Sequence, residues 1–166
     1  MWLDLSNIIE IPGAEKEFEC PLNVEALEFP SVESFAAAPV AKGKVVNTAG
    51  VLTLIGEIEA DMVCVCDRCG KTFESKKVQS LELPMAADLE DADNPDIFVV
   101  EGNGIDLNEV LETVFILDME TKFLCTEDCK GLCGRCGADL NEGECSCKKE
   151  KDPRLAVLEQ LLDDKH

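Results

Sequence analysis

The side chains best equipped for chemistry in this 166-residue chain are its ten cysteines, six of which crowd into residues 125–147, "CTEDCKGLCGRCGADLNEGECSC". Thiols so placed can bridge as disulfides, exchange electrons or hold a metal. Cys66 and Cys69 form C-x-x-C followed by Gly70, and Cys133 and Cys136 form the same unit followed by Gly137. A tight C-x-x-C-G turn points two thiolates and free backbone N–H groups at one ion, and glycine permits the close approach. One such knuckle is half of a tetrahedral site. Cys145 and Cys147 complete the second knuckle as C-x2-C-x8-C-x-C, which leaves Cys125 and Cys129 to complete the first. The expectation is two four-cysteine sites: Cys66, Cys69, Cys125 and Cys129, then Cys133, Cys136, Cys145 and Cys147. Two zinc ions are the expected occupants, with rubredoxin-type iron as the alternative metal.

The opening "MWLDLSNIIE" has no basic region and no long apolar stretch, so it does not read as a signal peptide. No run of eighteen apolar residues occurs, so no membrane span is expected. A cytoplasmic chain follows, and there thiols stay reduced, which turns the cysteines from disulfides toward metal. A redox C-x-x-C belongs at a helix N-terminus in a βαβ setting, whereas "CDRCG" lies between two predicted strands. Cys64 falls on the apolar face of its strand and reads as a small buried hydrophobe, though its place two residues before Cys66 keeps it as a spare ligand. Cys20, beside Pro21, reads as core. A Ser-His-Asp pattern and a glycine-rich phosphate loop are both missing, and the sole histidine is His166. Neither an enzyme nor a small-molecule substrate is expected.

Thirty-five acidic residues against fifteen basic ones give a formal net charge of −20. Such a chain repels nucleic acid unless a local basic patch intervenes, and it attracts basic proteins. From Leu83 to Thr121 there is no Lys or Arg, while Asp88, Glu90, Asp91 and Asp93 begin a series of acids that runs on through Asp106, Glu112 and Glu120. The cysteine-rich segment is more balanced, with Lys130 and Arg135 inside it and Lys148, Lys149, Lys151 and Arg154 after it. A zinc-finger transcription factor is disfavoured by the charge and by the lack of a basic recognition helix.

The elements that must position these groups are mostly strands. "WLDLS" and "KEFECPLNV" read as short strands, and residues 35–65 read as a long hairpin turning at Asn47 to Gly50. In its second arm Leu52, Leu54, Ile58, Ala60, Met62 and Cys64 share one face, while Thr53, Glu57, Glu59 and Asp61 share the other, the period of a half-buried strand. "KTFESKKVQSLEL" continues as a third long strand, "EDADNP" is a solvated loop, and "DIFVVEG" is a short strand. Asp106 with Glu109 opens a helix over about 106–119, whose stripe is Leu107, Val110, Leu111, Val114 and Phe115. Asp152 and Pro153 start a terminal helix with Leu155, Leu158 and Leu162 on one face. The expected architecture is α+β: an antiparallel, partly barrel-like sheet with one packed helix over residues 1–122, then a zinc-binding segment and terminal helix over 123–166.

"CDRCG" after a long hairpin, the "GIDLNEVLET" helix, "CKGLCGRCGADLN" and the terminal "DPRLAVLEQLL" together resemble the bacterial YceD family, the large ribosomal RNA subunit accumulation proteins. The resemblance covers most of the chain after about residue 40. It implies a non-enzymatic role in accumulation of large-subunit ribosomal RNA, hence in ribosome assembly. Partners in that setting are a basic large-subunit ribosomal protein, held by the acidic stretch that includes Asp88, Glu90, Asp91 and Asp93, or ribosomal RNA, met by Lys148, Lys149, Lys151 and Arg154.

Overall fold

A computed structural model describes residues 1–86 and 97–147 of the chain. Among them the chain runs β1 (Trp2–Asp4), α1 (Ser6–Ile9), β2 (Glu15–Pro21), a 3-10 turn (Val24–Ala26), β3 (Val32–Phe35), β4 (Val40–Thr48), β5 (Val51–Val65), β6 (Thr72–Ala86), β7 (Phe98–Val99), β8 (Gly104–Asp106) and α2 (Leu107–Leu117). A six-stranded sheet follows the order β2-β4-β5-β6-β7, with β3 pairing β5, and β1 with β8 forms a separate two-stranded ribbon.

The backbone of the sheet is the pair β5 and β6, each 15 residues long and matched from Leu52–Met85 to Val65–Thr72. Strict alternation drives β5: Leu52, Leu54, Ile58, Ala60, Met62 and Cys64 are buried, as their period predicts, and the odd positions face outward. β4 reverses into β5 through Ala49 (φ 54°) and Gly50 (φ 96°), the positive-φ pair that a two-residue hairpin turn requires. Asn47 fixes that turn from below. It is fully buried, accepts from Gly50 N at 2.8 Å and donates to Ile8 O and Ile9 O, both at 2.7 Å, which ties the one-turn helix α1 to the hairpin.

Two expectations are corrected. The arm read as a strand from residue 35 begins only at Val40, as β4; Phe35 instead ends β3, which pairs Met62 to Cys64 of β5. Pro39 separates them, since it has no N–H for a ladder and its carbonyl instead accepts from Leu22 N at 2.8 Å. The sheet is antiparallel as expected in every pairing but one, and among the described residues it is open rather than a closed barrel. β7 pairs β6 in parallel over two residue pairs, and the path ends there without returning to β2.

A helix covers the buried face instead. Leu107, Val110, Leu111 and Phe115 of α2 are buried, and Phe115 meets the rings of Phe29 and Phe35 at centroid distances of 6.1 and 6.4 Å. Asp106 caps the helix, accepting from Asn108 N at 3.0 Å. At the far end Lys77 of β6 donates to Asp118 O at 2.8 Å, and Gln79 donates to Val114 O at 3.2 Å. No helix among the described residues is long and apolar enough to cross a membrane. The helix expected after Asp152 lies outside the described residues, as does the "EDADNP" loop.

Gly43 and Gly56 stand directly opposite each other in β4 and β5. A methyl group on Gly56 would sit 2.3 Å from Lys42 O, and one on Gly43 would sit 2.2 Å from Ile55 O. Backbone cannot yield there as a flexible side chain would. Gly56→Ala is therefore expected to lower stability by about 1–3 kcal/mol, the usual cost of forced overpacking, read as a lower urea midpoint at unchanged slope.

Candidate metal centre

Cys66 directly follows β5 and Cys69 precedes β6, so the first knuckle is the turn of the longest hairpin in the described chain. Gly70 N donates to Cys66 O at 2.8 Å and Cys66 N donates to Lys71 O at 2.9 Å, with Gly70 at φ 71°. The second knuckle repeats this pattern residue for residue: Gly137 N donates to Cys133 O at 2.8 Å, Cys133 N donates to Ala138 O at 2.8 Å, and Gly137 has φ 72°. The same local sequence thus builds the same turn in two settings. Left-handed φ is needed at the residue after the second cysteine, which is why glycine stands there.

Each knuckle is joined by a second pair of thiols. Cys66 Sγ lies 3.7 Å from Cys129 Sγ, and Cys69 Sγ lies 3.6 Å from Cys125 Sγ. All four sulfurs lie within 4.8 Å of one another, as do those of Cys133, Cys136, Cys145 and Cys147. A tetrahedron of sulfurs around an ion at the zinc–thiolate distance of about 2.3 Å has edges of about 3.8 Å. The observed spacings fit that figure and are far from a disulfide; all ten cysteines are free. Both groups could hold a metal ion. The first is mostly buried, with Cys66, Cys69 and Cys129 almost fully covered, and the second is more open, with Cys136 exposed. Cys64 and Cys20 stand apart from both groups in the main core, where burial pushes their thiols up.

Charge is shared unevenly among the clustered thiols. Burial pushes Cys66 up, but the backbone N–H groups of Cys125, Cys69 and Arg68 outweigh it and bring the thiol down to about 6. In the second group the N–H groups of Cys136 and Arg135 lead in bringing Cys133 down to about 6. Burial and the neighbouring thiols push Cys125 up to about 12, and Cys147, led by its contact with Cys136, also rises to about 12. Each knuckle is a nest of N–H dipoles that favours one thiolate, and a second anion beside it is resisted.

The side chains around the sulfurs were not legible in the cysteine spacing. Asp67, inside the first knuckle, accepts from Ser31 Oγ and from Phe123 N, both at 2.6 Å, while its own N donates to Phe123 O at 2.9 Å. Those contacts hold the Asp67 carboxyl below the usual carboxylate range, the Ser31 hydroxyl contributing most. Arg68 Nη1 donates to Cys129 O at 2.7 Å. Lys71 reaches across to Asp139 and Glu142, at 2.8 and 2.9 Å, and these raise its ammonium. The signal for part of this was present: D-x-N at Asp139 and Asn141 is a turn motif, and Asp139 Oδ1 accepts from Asn141 N at 2.8 Å. The proposed partner-binding residues Asp88, Glu90, Asp91, Asp93, Lys148, Lys149, Lys151 and Arg154 all lie outside the described residues.

Comparison with known proteins places the sequence in a family. The family model for "Large ribosomal RNA subunit accumulation protein YceD" matches residues 54–162, from near the start of β5 through both cysteine groups. "Large ribosomal RNA subunit accumulation protein YCED homolog 1, chloroplastic" of Arabidopsis thaliana is 34% identical over 65 residues, which is 39% of this chain and 20% of that protein. Uncharacterised proteins of Mycobacterium bovis and Mycobacterium tuberculosis are 27% identical over 169 residues, covering 98% of this chain and 81% of theirs. The chain thus spans a fifth of the chloroplast relative and about four fifths of the mycobacterial ones. No solved structure matches.

If both groups load, native mass spectrometry is expected to show two metal ions per chain. Cys136→Ser should remove one and leave the sheet's circular dichroism intact, because its four cysteines lie within one short segment. Cys69→Ser should remove the other and lower the melting temperature more, since it cuts the link between the β5–β6 turn and the chain beyond α2. One ion per chain, unaltered by Cys136→Ser, would count against the second site.

Proposed function

The chain belongs to the YceD family of large ribosomal RNA subunit accumulation proteins, and from that premise we propose that it is a non-enzymatic, cytoplasmic ribosome-assembly factor that supports accumulation of large-subunit ribosomal RNA. The observation that carries this reading is the extent of the family match. It takes in β6, α2 and every cysteine of the two groups, so the shared part includes the whole candidate centre.

Zinc is the metal that suits both groups. Four thiolates arranged tetrahedrally satisfy it, and a structural site is closed by protein ligands on all sides. Bound there, zinc supplies folding free energy by joining segments distant in sequence. Cys66, Cys69, Cys125 and Cys129 would hold the ion that fixes the β5–β6 turn to the chain after α2. Cys133, Cys136, Cys145 and Cys147 would hold the ion that closes the following loop. The knuckle's position between two strands supports metal binding over thiol exchange, which draws on a helix N-terminus to lower a thiol pKa. A colourless protein as purified agrees with zinc, whereas a red one points to iron.

The partner we propose is a basic large-subunit ribosomal protein. The net charge of −20 favours such an encounter, and α2 carries Glu109 and Glu112 with no basic residue along its length. The outward face of the sheet adds Glu57 and Asp61 on β5 and Glu74 on β6, all exposed. Surface charges act through a field with a range of roughly 8 Å at physiological ionic strength, so association should weaken as salt rises. Neutralising Asp88, Glu90, Asp91 and Asp93 together is expected to slow association while leaving metal content and melting unchanged. Capture of ribosomal components from lysate should survive ribonuclease. Loss of capture after ribonuclease, with charge reversal at Lys148, Lys149, Lys151 and Arg154 abolishing binding while the acidic variant binds normally, would instead make RNA the partner.

A further inference from the structure

The two cysteine groups meet through the loop that separates Cys136 from Cys145. That loop carries Asp139, Asn141 and Glu142, and each makes a contact on or beside the first group. Asn141 Nδ2 donates to Cys129 Sγ at 3.4 Å, a direct hydrogen bond onto one of the first group's sulfurs. Its orientation is fixed at both ends of the amide. Asn141 Oδ1 accepts from Lys130 N at 2.7 Å, and Nδ2 also donates to Asp139 Oδ1 at 2.8 Å. Asp139, 12% exposed at its side chain, is clamped in turn by Lys71, the residue that follows the first knuckle's glycine. Leu132 N donates to Arg68 O at 3.2 Å, and Leu140 N donates to Gly131 O at 2.9 Å, which binds the base of the loop to the first knuckle through the backbone.

Resting on the metal reading given above, we infer that the second group's loop is the outer shell of the first, with Asn141 as the positioning residue, so that an ion in one site tightens the other. The reasoning is mechanical. An ion held by Cys133, Cys136, Cys145 and Cys147 fixes both ends of the 137–144 loop and lowers the entropy of presenting Asn141 to Cys129. An N–H···S hydrogen bond withdraws charge from a thiolate that already shares its ion with three others, which stabilises the complex. Groups of this kind around a metal site carry effects of about 10–100-fold in affinity. Linkage makes the benefit reciprocal: whatever factor the second ion adds at the first site, the first adds at the second. The loop's exposed position then has a purpose beyond its own ion. It seals the more buried centre from one side.

The experiment uses the full chain with zinc and cobalt as probes. Cys69→Ser and Cys136→Ser each leave one group intact, which assigns the two binding steps in a chelator competition. Asn141→Asp keeps the acceptor for Lys130 N and removes the donor to sulfur; Asn141→Ala removes the donor without adding charge. Both are expected to weaken the first site about 10–100-fold while the second still loads. The thiolate-to-cobalt absorption of the first site should move to lower energy, because the sulfur lone pairs lose their hydrogen bond; a merely structural role would leave that band in place. Cys136→Ser should weaken the first site by a similar factor, and combining it with Asn141→Ala should add little, since both act through one contact. Two ions bound, with first-site affinity and band unchanged in the Asn141 variants, would overturn the inference. Fewer than two ions in the unaltered chain would overturn the metal reading itself, and the inference with it.

Discussion

Four sulfurs drawn to one point from two separated stretches of chain is the constraint on which the remainder of the structure depends. Cys66 and Cys69 belong to the β5–β6 turn, and Cys125 and Cys129 arrive only after β7, β8 and α2 have been traversed. The long hairpin outruns the core that α2 can cover. Its far end, beyond Met62 and Cys64, has no helix over it among the described residues. What covers it is a second, smaller cluster of Cys66, Cys69 and Cys129 with Phe73, Leu124 and Cys125 against them. The thiols therefore stand where a sheet of this length would otherwise need another layer of apolar side chains. A strand pair left bare there would fray, since a two-stranded hairpin is marginal in water on its own.

The electrostatics of the clusters make the same point from another side. Without a cation, four thiols at tetrahedral spacing cannot all ionise: Cys66 comes down to about 6 while Cys125 is pushed up to about 12. The backbone supplies enough positive dipole for one anion in each knuckle and not for its neighbours. A divalent ion reverses this balance by replacing protons at every sulfur, so loading falls as pH falls and protons compete for the ligands.

Local rules explain what was legible in the sequence. The C-x-x-C-G turns, the β5 alternation, the turn after Asn47 and the Asp106 helix start are each decided by residues close in sequence, and each forms as read. The grouping of the cysteines could also be read from their spacing, because each knuckle needs a partner pair. What the sequence hid was set by long-range packing. The arm read from residue 35 starts at Val40, after Pro39, and β5 is long enough to pair β3 as well as β4. Among the described residues the sheet ends at β7, whose two residues are too few for any period to reveal and which pairs in parallel. The contacts of Asp67, Lys71 and Asn141 join positions more than fifty residues apart or across two turns, where spacing carries no signal.

Lys77 and Gln79 show how far such hidden contacts can bend a rule. Both lie on the buried face of β6, in line with Phe73 and Leu81, where alternation calls for apolar side chains. Burial alone would pull the Lys77 ammonium down, yet Asp118 and Glu120 hold it above the ordinary lysine value. Its bond to Asp118 O places a cation at the C-terminus of α2, the end where the helix dipole favours one. The same ammonium bonds Glu120 at 3.1 Å, so the chain leaving the helix is held against the sheet just before Phe123 meets Asp67. A leucine at residue 77 would satisfy the core and leave that exit unguided. Polar residues occupy this strip of β6 because the strip has to steer the chain, from the end of α2 to the first pair of thiols.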